Sequence, residues 1–202
     1  TAGRGSPPER RAVYEALGLV AERSVVPWLL ERATQEAGYL RAAINAALGR
    51  IGDRQAVEHL LADCHYPDKR SKGLNPALFT PMSEPPPYPK SDTAVARAAV
   101  EALGELGDAR AAESVAEVAY DVLRDDDFWI AVARTLGQLG DSTAGRALGQ
   151  IGIDGQLTQG MKVLDLSDGV RSEALRAIAQ LELRDLVPQI LAMNGPQASV
   201  AL

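Results

Sequence analysis

One cysteine, Cys64, in 202 residues means that no internal disulfide holds this chain together, so its stability has to come from packing. Aromatic residues make up only 4% against a hydrophobic share of 46%. The core must therefore be built from Ala, Leu and Val, and such small side chains favour helix laid closely on helix over a sheet. No apolar run of about eighteen residues is present to cross a membrane, and Thr1 to Ser6 does not read as a secretion signal. The expected compartment is the cytosol. Lysine is scarce, four of the 21 basic residues, and with the abundant alanine this reads as a GC-rich genome. A net charge of -6 and a pI near 5.0 argue against a general affinity for phosphate backbones, so no nucleic acid is expected as partner.

What the chain has in abundance is one helical phrase, plainest at Arg97-Ala98-Ala99-Val100-Glu101-Ala102-Leu103-Gly104-Glu105-Leu106-Gly107-Asp108. A second copy runs from Arg41 to Asp53, another ends at Leu136-Gly137-Gln138-Leu139-Gly140-Asp141, and weaker copies lie at Arg11 to Gly18 and Ala174 to Leu181. With Leu17, Leu48, Leu103, Leu136 and Ile178 as equivalents, the steps are 31, 55, 33 and 42 residues. A unit of about thirty residues is the period of a solenoid, and the two long steps mark insertions. Loss of the Gly-Asp punctuation at both ends is what terminal capping units tend to show.

Within a unit, Ala96, Val100, Leu103 and Leu106 fall on one face of a helix. Gly107 then supplies a left-handed stop, and Asp108 is suited to cap the helix that follows. Second helices are predicted from Ala56 to Leu61, Ala111 to Leu123, Ala144 to Ile151 and Leu186 to Leu191. Ser6-Pro7-Pro8-Glu9 reads as a capping box with proline at the opening helical position. Strand alternation competes only around Met161 to Leu166, which could equally be a helical turn. Together these signals predict an all-α solenoid, a superhelix of about five helical hairpins, in one domain spanning 1–202 with insertions at about 65–92 and 152–169.

The phrase at 97 to 111 resembles the HEAT repeat, specifically the bacterial HEAT-like type first named from phycobilin lyases. The resemblance covers residues 6 to about 193 apart from the two insertions. It implies α-helical hairpins and a concave surface lined by the second helices, a surface that in this family usually binds another protein. Similar repeats serve as scaffolds, adaptors, chromophore lyases, DNA-repair glycosylases and iron-dependent hydroxylases, and site chemistry does not follow from fold.

The first insertion carries Tyr66, Lys69, Arg70, Lys72, Phe79, Tyr88 and Lys90 around the run Pro85-Pro86-Pro87-Tyr88-Pro89. That run favours polyproline II, a preformed strip that aromatic grooves recognise, while Leu74, Leu78 and Met82 would let the loop pack back on the solenoid. Its basic cluster reads first as solvated loop charge. His59, Asp63, Cys64 and His65 are close in sequence, but their spacing matches no strong zinc signature, and structural roles are expected. Neither histidine precedes a glutamate, as the His-Glu pairs of the iron-dependent hydroxylases would require. Asp125-Asp126-Asp127 reads as the acidic N-terminus of the helix that begins near Phe128. Trp28 and Trp129 are expected as core or groove-lining residues. No Ser-His-Asp, Cys-His or phosphate-cradling glycine motif appears.

The reading is a non-enzymatic scaffold or adaptor, without cofactor or metal, that binds a protein partner through its concave face and insertions. Tyr66, Lys69, Arg70, Phe79, Tyr88 and Lys90 are its expected contacts. The contrary class is a small-molecule-binding or chromophore-lyase-like accessory protein, for which a shared pocket of Trp28, Trp129 and arginines would be the sign. Excision of residues 70 to 90 is expected to leave the far-ultraviolet dichroism and a cooperative melt unchanged. Loss of folding would instead make the segment part of the core.

Overall fold

The computed structural model describes residues 5–65, 91–119, 125–141, 144–159 and 162–193. Five hairpins follow one another among them. The first helices are α1 (Pro7–Val20), α3 (Gly38–Ile51), α5 (Ser91–Leu106), α7 (Asp126–Leu139) and α9 (Asp168–Gln180). The second helices are shorter: α2 (Val26–Gln35), α4 (Val57–Cys64), α6 (Ala112–Val118), α8 (Gly145–Gly149) and α10 (Val187–Met193). Four of them are entered through a 3₁₀ turn, as at Arg54–Ala56 and Ala109–Ala111, and α8 leaves through a π turn at Gln150–Asp154. The helix expected from Ala111 to Leu123 thus ends as α6 at Val118.

The second insertion forms a hairpin, β1 (Gln156–Gln159) antiparallel to β2 (Lys162–Asp165), with Gln156 opposite Asp165 and Leu157 opposite Leu164. Of the strand and the helical turn expected there, Lys162–Asp165 forms the strand. Buried Leu157 and Leu166 join the core that runs through all five units.

Residues of positive φ stand four positions after each marker, at Ala21, Gly52, Gly107, Gly140 and Glu182. The turn therefore persists at both ends, where glycine has been replaced. Glu22 even reproduces the aspartate's part, accepting from the Ser24 N–H as Asp53 does from Gln55 and Asp108 from Arg110. Asp108 is held at about pKa 2, chiefly by its hydrogen bond from Arg110.

The earlier glycine of each phrase has a different role. Gly18, Gly49, Gly104 and Gly137 are buried inside helices, where glycine is disfavoured by roughly 0.5–1 kcal/mol relative to alanine. A Cβ on Gly18 would stand 2.8 Å from Cα of Ala47, and one on Gly49 would stand 2.7 Å from Cα of Ala102. Gly104 meets the side chains of Gln138 and Thr135, and Gly137 meets Ala177. Each glycine thus lets the next first helix pack into the space that a Cβ would fill. Because these contacts join C-terminal ends to C-terminal ends, and the ion pair Arg97–Asp127 joins N-terminal ends at 3.1 Å, successive first helices run parallel. Where Thr135 replaces alanine, its buried hydroxyl donates to the Val100 carbonyl at 3.1 Å, so no polar atom is stranded.

Two substitutions separate the two glycine roles. Gly49→Ala is expected to destabilise by about 1–3 kcal/mol through overpacking against α5. Ala21→Gly is expected to stabilise by roughly 0.5–1 kcal/mol by relieving the left-handed residue. Urea midpoints of the two variants should move in opposite directions.

Candidate functional site

The expected contact residues Tyr66, Lys69, Arg70, Phe79, Tyr88 and Lys90 lie outside the described residues. The two tryptophans are described, and they do not meet. Trp28 lies in the first unit, its ring 6.0 Å from that of Tyr14 and covered by the Arg32 guanidinium at 5.5 Å. Tyr14 donates to Glu36 at 2.8 Å, and burial first, then Glu36, pushes its hydroxyl to about pKa 12. Trp129 is 2% exposed in α7 of the fourth unit, and its indole N–H has no partner among the described residues. Trp129 is thus buried in the core, and Trp28 packs half-buried against it.

The His59, Asp63, Cys64 cluster is a buried polar knot. Arg41 donates from Nε and Nη2 to the two Asp63 oxygens at 2.8 and 2.7 Å, and Asn45 Nδ2 donates to Asp63 at 2.8 Å and to the Val95 carbonyl at 3.4 Å. With its NH₂ so used, Asn45 offers its oxygen to His59 Nε2 at 3.0 Å, which assigns the ring proton to Nε2. Asp63 is thereby occupied, and among the described residues no group of His, Cys, Asp and Glu is placed to hold a metal ion. Cys64 donates to the Leu61 carbonyl, and burial raises its thiol to about pKa 12, so it is a poor nucleophile. The knot joins α3 to the last turn of α4 and the first turns of α5, the two roots of the first insertion. Asp125 accepts from the Phe128 N–H at 3.0 Å and so caps α7, while Asp127 pairs with Arg97.

Burial holds His59 below its usual 6.5, with Asp63 acting upward and Arg41 downward. The folded state then binds fewer protons than the unfolded chain, so the contribution is complete above pH 6.5 and is lost as pH falls from there toward the lower folded value. Stability measured by urea at pH 7 and pH 5 should drop for the parent chain and drop less for His59→Gln. Identical drops would place the acid sensitivity elsewhere.

A different place has the shape of a binding site. A cleft of about 660 Å³ lies across the exposed face of α1, α3 and α5. Its floor is α3, which presents Ala42, Ala43 and Ala46 between Tyr39 and Arg50. Its walls are Arg11 and Glu15 of α1, and Arg97 and Glu101 of α5. Arg11 and Glu15 pair at 2.7 Å, and Tyr39 and Leu19 are 46% and 75% exposed. The cleft is on the first helices, whereas the resemblance implied a surface lined by the second. The reason lies in the glycine contacts, which draw the first helices into an unbroken row, α1 to α9, while the second helices are short.

Residues 2–71 match the family of HEAT repeats, and residues 95–121 match the PBS lyase HEAT-like repeat. No curated protein matches the chain. None of the described helices is long and apolar enough to cross a membrane. The parallel first helices, the recurring left-handed turn and these two matches identify the repeats as HEAT repeats, similar at 95–121 to the HEAT-like type of phycobilin lyases.

Proposed function

We propose that the protein is a non-catalytic scaffold that binds another protein along its first-helix face. The observation that carries this is the cleft over α3: open, alanine-floored, and walled by arginine and glutamate in balance. Mixed charge around a small-residue floor suits a protein surface, giving orientation from the rim and close approach at the centre. A nucleic-acid groove would need an uninterrupted basic stripe, and Glu15 and Glu101 interrupt it. Among the lining residues no nucleophile stands beside a base.

The reading as a small-molecule or chromophore-lyase-like protein asks for one pocket shared by both tryptophans. Trp28 and Trp129 are three units apart, and the name of the matched repeat is what links the chain to lyases.

A photo-crosslinking residue at Ala46 is expected to trap a polypeptide in lysate of the producing cell, and the same residue at exposed Glu58 on α4 is expected to trap none. Crosslinks from Glu58 alone would move the binding face to the second helices.

A further inference from the structure

We infer that the two ends of the solenoid are halves of one joint: the outer face of α9 and α10 receives α1 of a second copy, so that copies add head to tail. The inference goes beyond the protein-binding reading and does not depend on the cleft over α3.

The end units lack the Gly-Asp punctuation, as capping units do, but their outer faces are not the polar ones that close an array. Among the described residues, six of the seven large exposed hydrophobic side chains belong to the two end units: Val13, Leu19 and Val20 on α1, and Val187, Leu191 and Met193 on α10. The register explains the second group. Val26, Val57 and Ala112 hold the place of Val187 in the first three units and are buried, whereas Val187 is 46% exposed. In the fourth unit that place is Gly145, where a Cβ would touch Leu183 of the fifth. Val187 is thus exposed because no further unit lies over it. A cleft of about 340 Å³, lined by Leu175, Ala179, Val187 and Ile190 among others, opens at this end between α9 and α10.

The first unit carries the other half. On each later first helix a small residue faces the glycine of the unit before it: Ala47, Ala102, Thr135 and Ala177, all buried. Ala16 is their equivalent on α1, and it is exposed. Val13 and Val20 are likewise exposed where Ile44, Ala99 and Val132, and Ile51 and Leu139, are buried. At the far end, Ala179 is exposed in the place of the buried glycines. A joint made in the register of the internal ones sets Ala16 of one copy on Ala179 of the other.

Three further positions agree with that joint. Glu105, Gln138 and Gln180 reach over the glycine of the preceding unit, and their equivalent on α1 is Leu19. The polar side chain has become apolar at the end where the glycine it would cover has become alanine. Leu186 lies over Gly149 in the chain, and its equivalent Val25 would lie over exposed Leu191 in the joint. The charge of Arg54 in the second unit lowers the Asp108 carboxyl of the third. Arg184 and Glu22 hold those two places in the fifth and first units, and so meet with opposite charge across the joint.

The two surfaces are different and lie at opposite ends, so the contact is heterologous and growth is not limited to a pair. Two methyl groups meet where an internal joint has a glycine, so this joint closes less tightly than those within the chain and opens on dilution.

Sedimentation velocity on the whole chain tests this. Between about 10 and 100 µM the mean mass is expected to rise past that of two copies. A16E blocks the head and V187E/L191E the tail, at exposed sites where the dichroism should not change. Each variant alone is expected to stay a single copy, and a one-to-one mixture should form a pair and nothing larger, since only one head and one tail remain. V20E repeats the head block should A16E fail to fold. A parent chain that stays single at about 100 µM, a mixture that does not pair, or pairing of A16E with itself through its tail would each overturn the proposal.

Discussion

The contact on which the rest of the structure depends is the meeting of a buried glycine on one first helix with a small residue on the next. Gly18 on Ala47, Gly49 on Ala102, Gly104 on Thr135 and Gly137 on Ala177 are four instances of one device. Helices that approach this closely bury alanine and valine as effectively as larger residues bury themselves at ordinary spacing. A chain with so few aromatic residues can therefore hold a continuous core from Tyr14 to Ile178. The same contact aligns the helices in parallel and sets their offset, and so decides which residues lie side by side on the surface.

The surface consequence is the trough over α3. The alanines of α3 lie between the arginines and glutamates of α1 and α5, and because the glycine offset accumulates to four residues from α1 to α5, Glu15 stands level with Arg97. No single helix has an unusual sequence: Arg11–Glu15 is an ordinary pair at i,i+4. The pattern exists only across helices. The polar knot of Arg41, Asn45, His59 and Asp63 ties α3 to the residues that flank the first insertion. Its satisfied bonds explain why side chains that look like metal ligands in a row of letters are structural.

Much of the fold was legible from spacing. The five units, the left-handed stop at Gly107, the aspartate cap and the capping box at Ser6 all follow from local rules, and Ser6 N–H does donate to Glu9, at 2.7 Å. Two things were not. The buried glycine of each phrase has no local sign, because its reason is a helix of the next unit, tens of residues away. The left-handed turns at Ala21 and Glu182 were hidden because the residue that usually betrays such a turn is absent there. The charges around the cleft were present in the register, but which of them stand level depends on the offset between helices, and that offset belongs to the packing rather than to any one stretch of chain.

By itself the sequence determined the repeat, the helical class and the turn chemistry, since each depends on residues within a few positions of one another. Only the tertiary structure decided which face is recessed and which charges share it. The approach of two helices depends on what each lacks at the point of contact, and a missing Cβ has no meaning until there is a neighbour to fill the space.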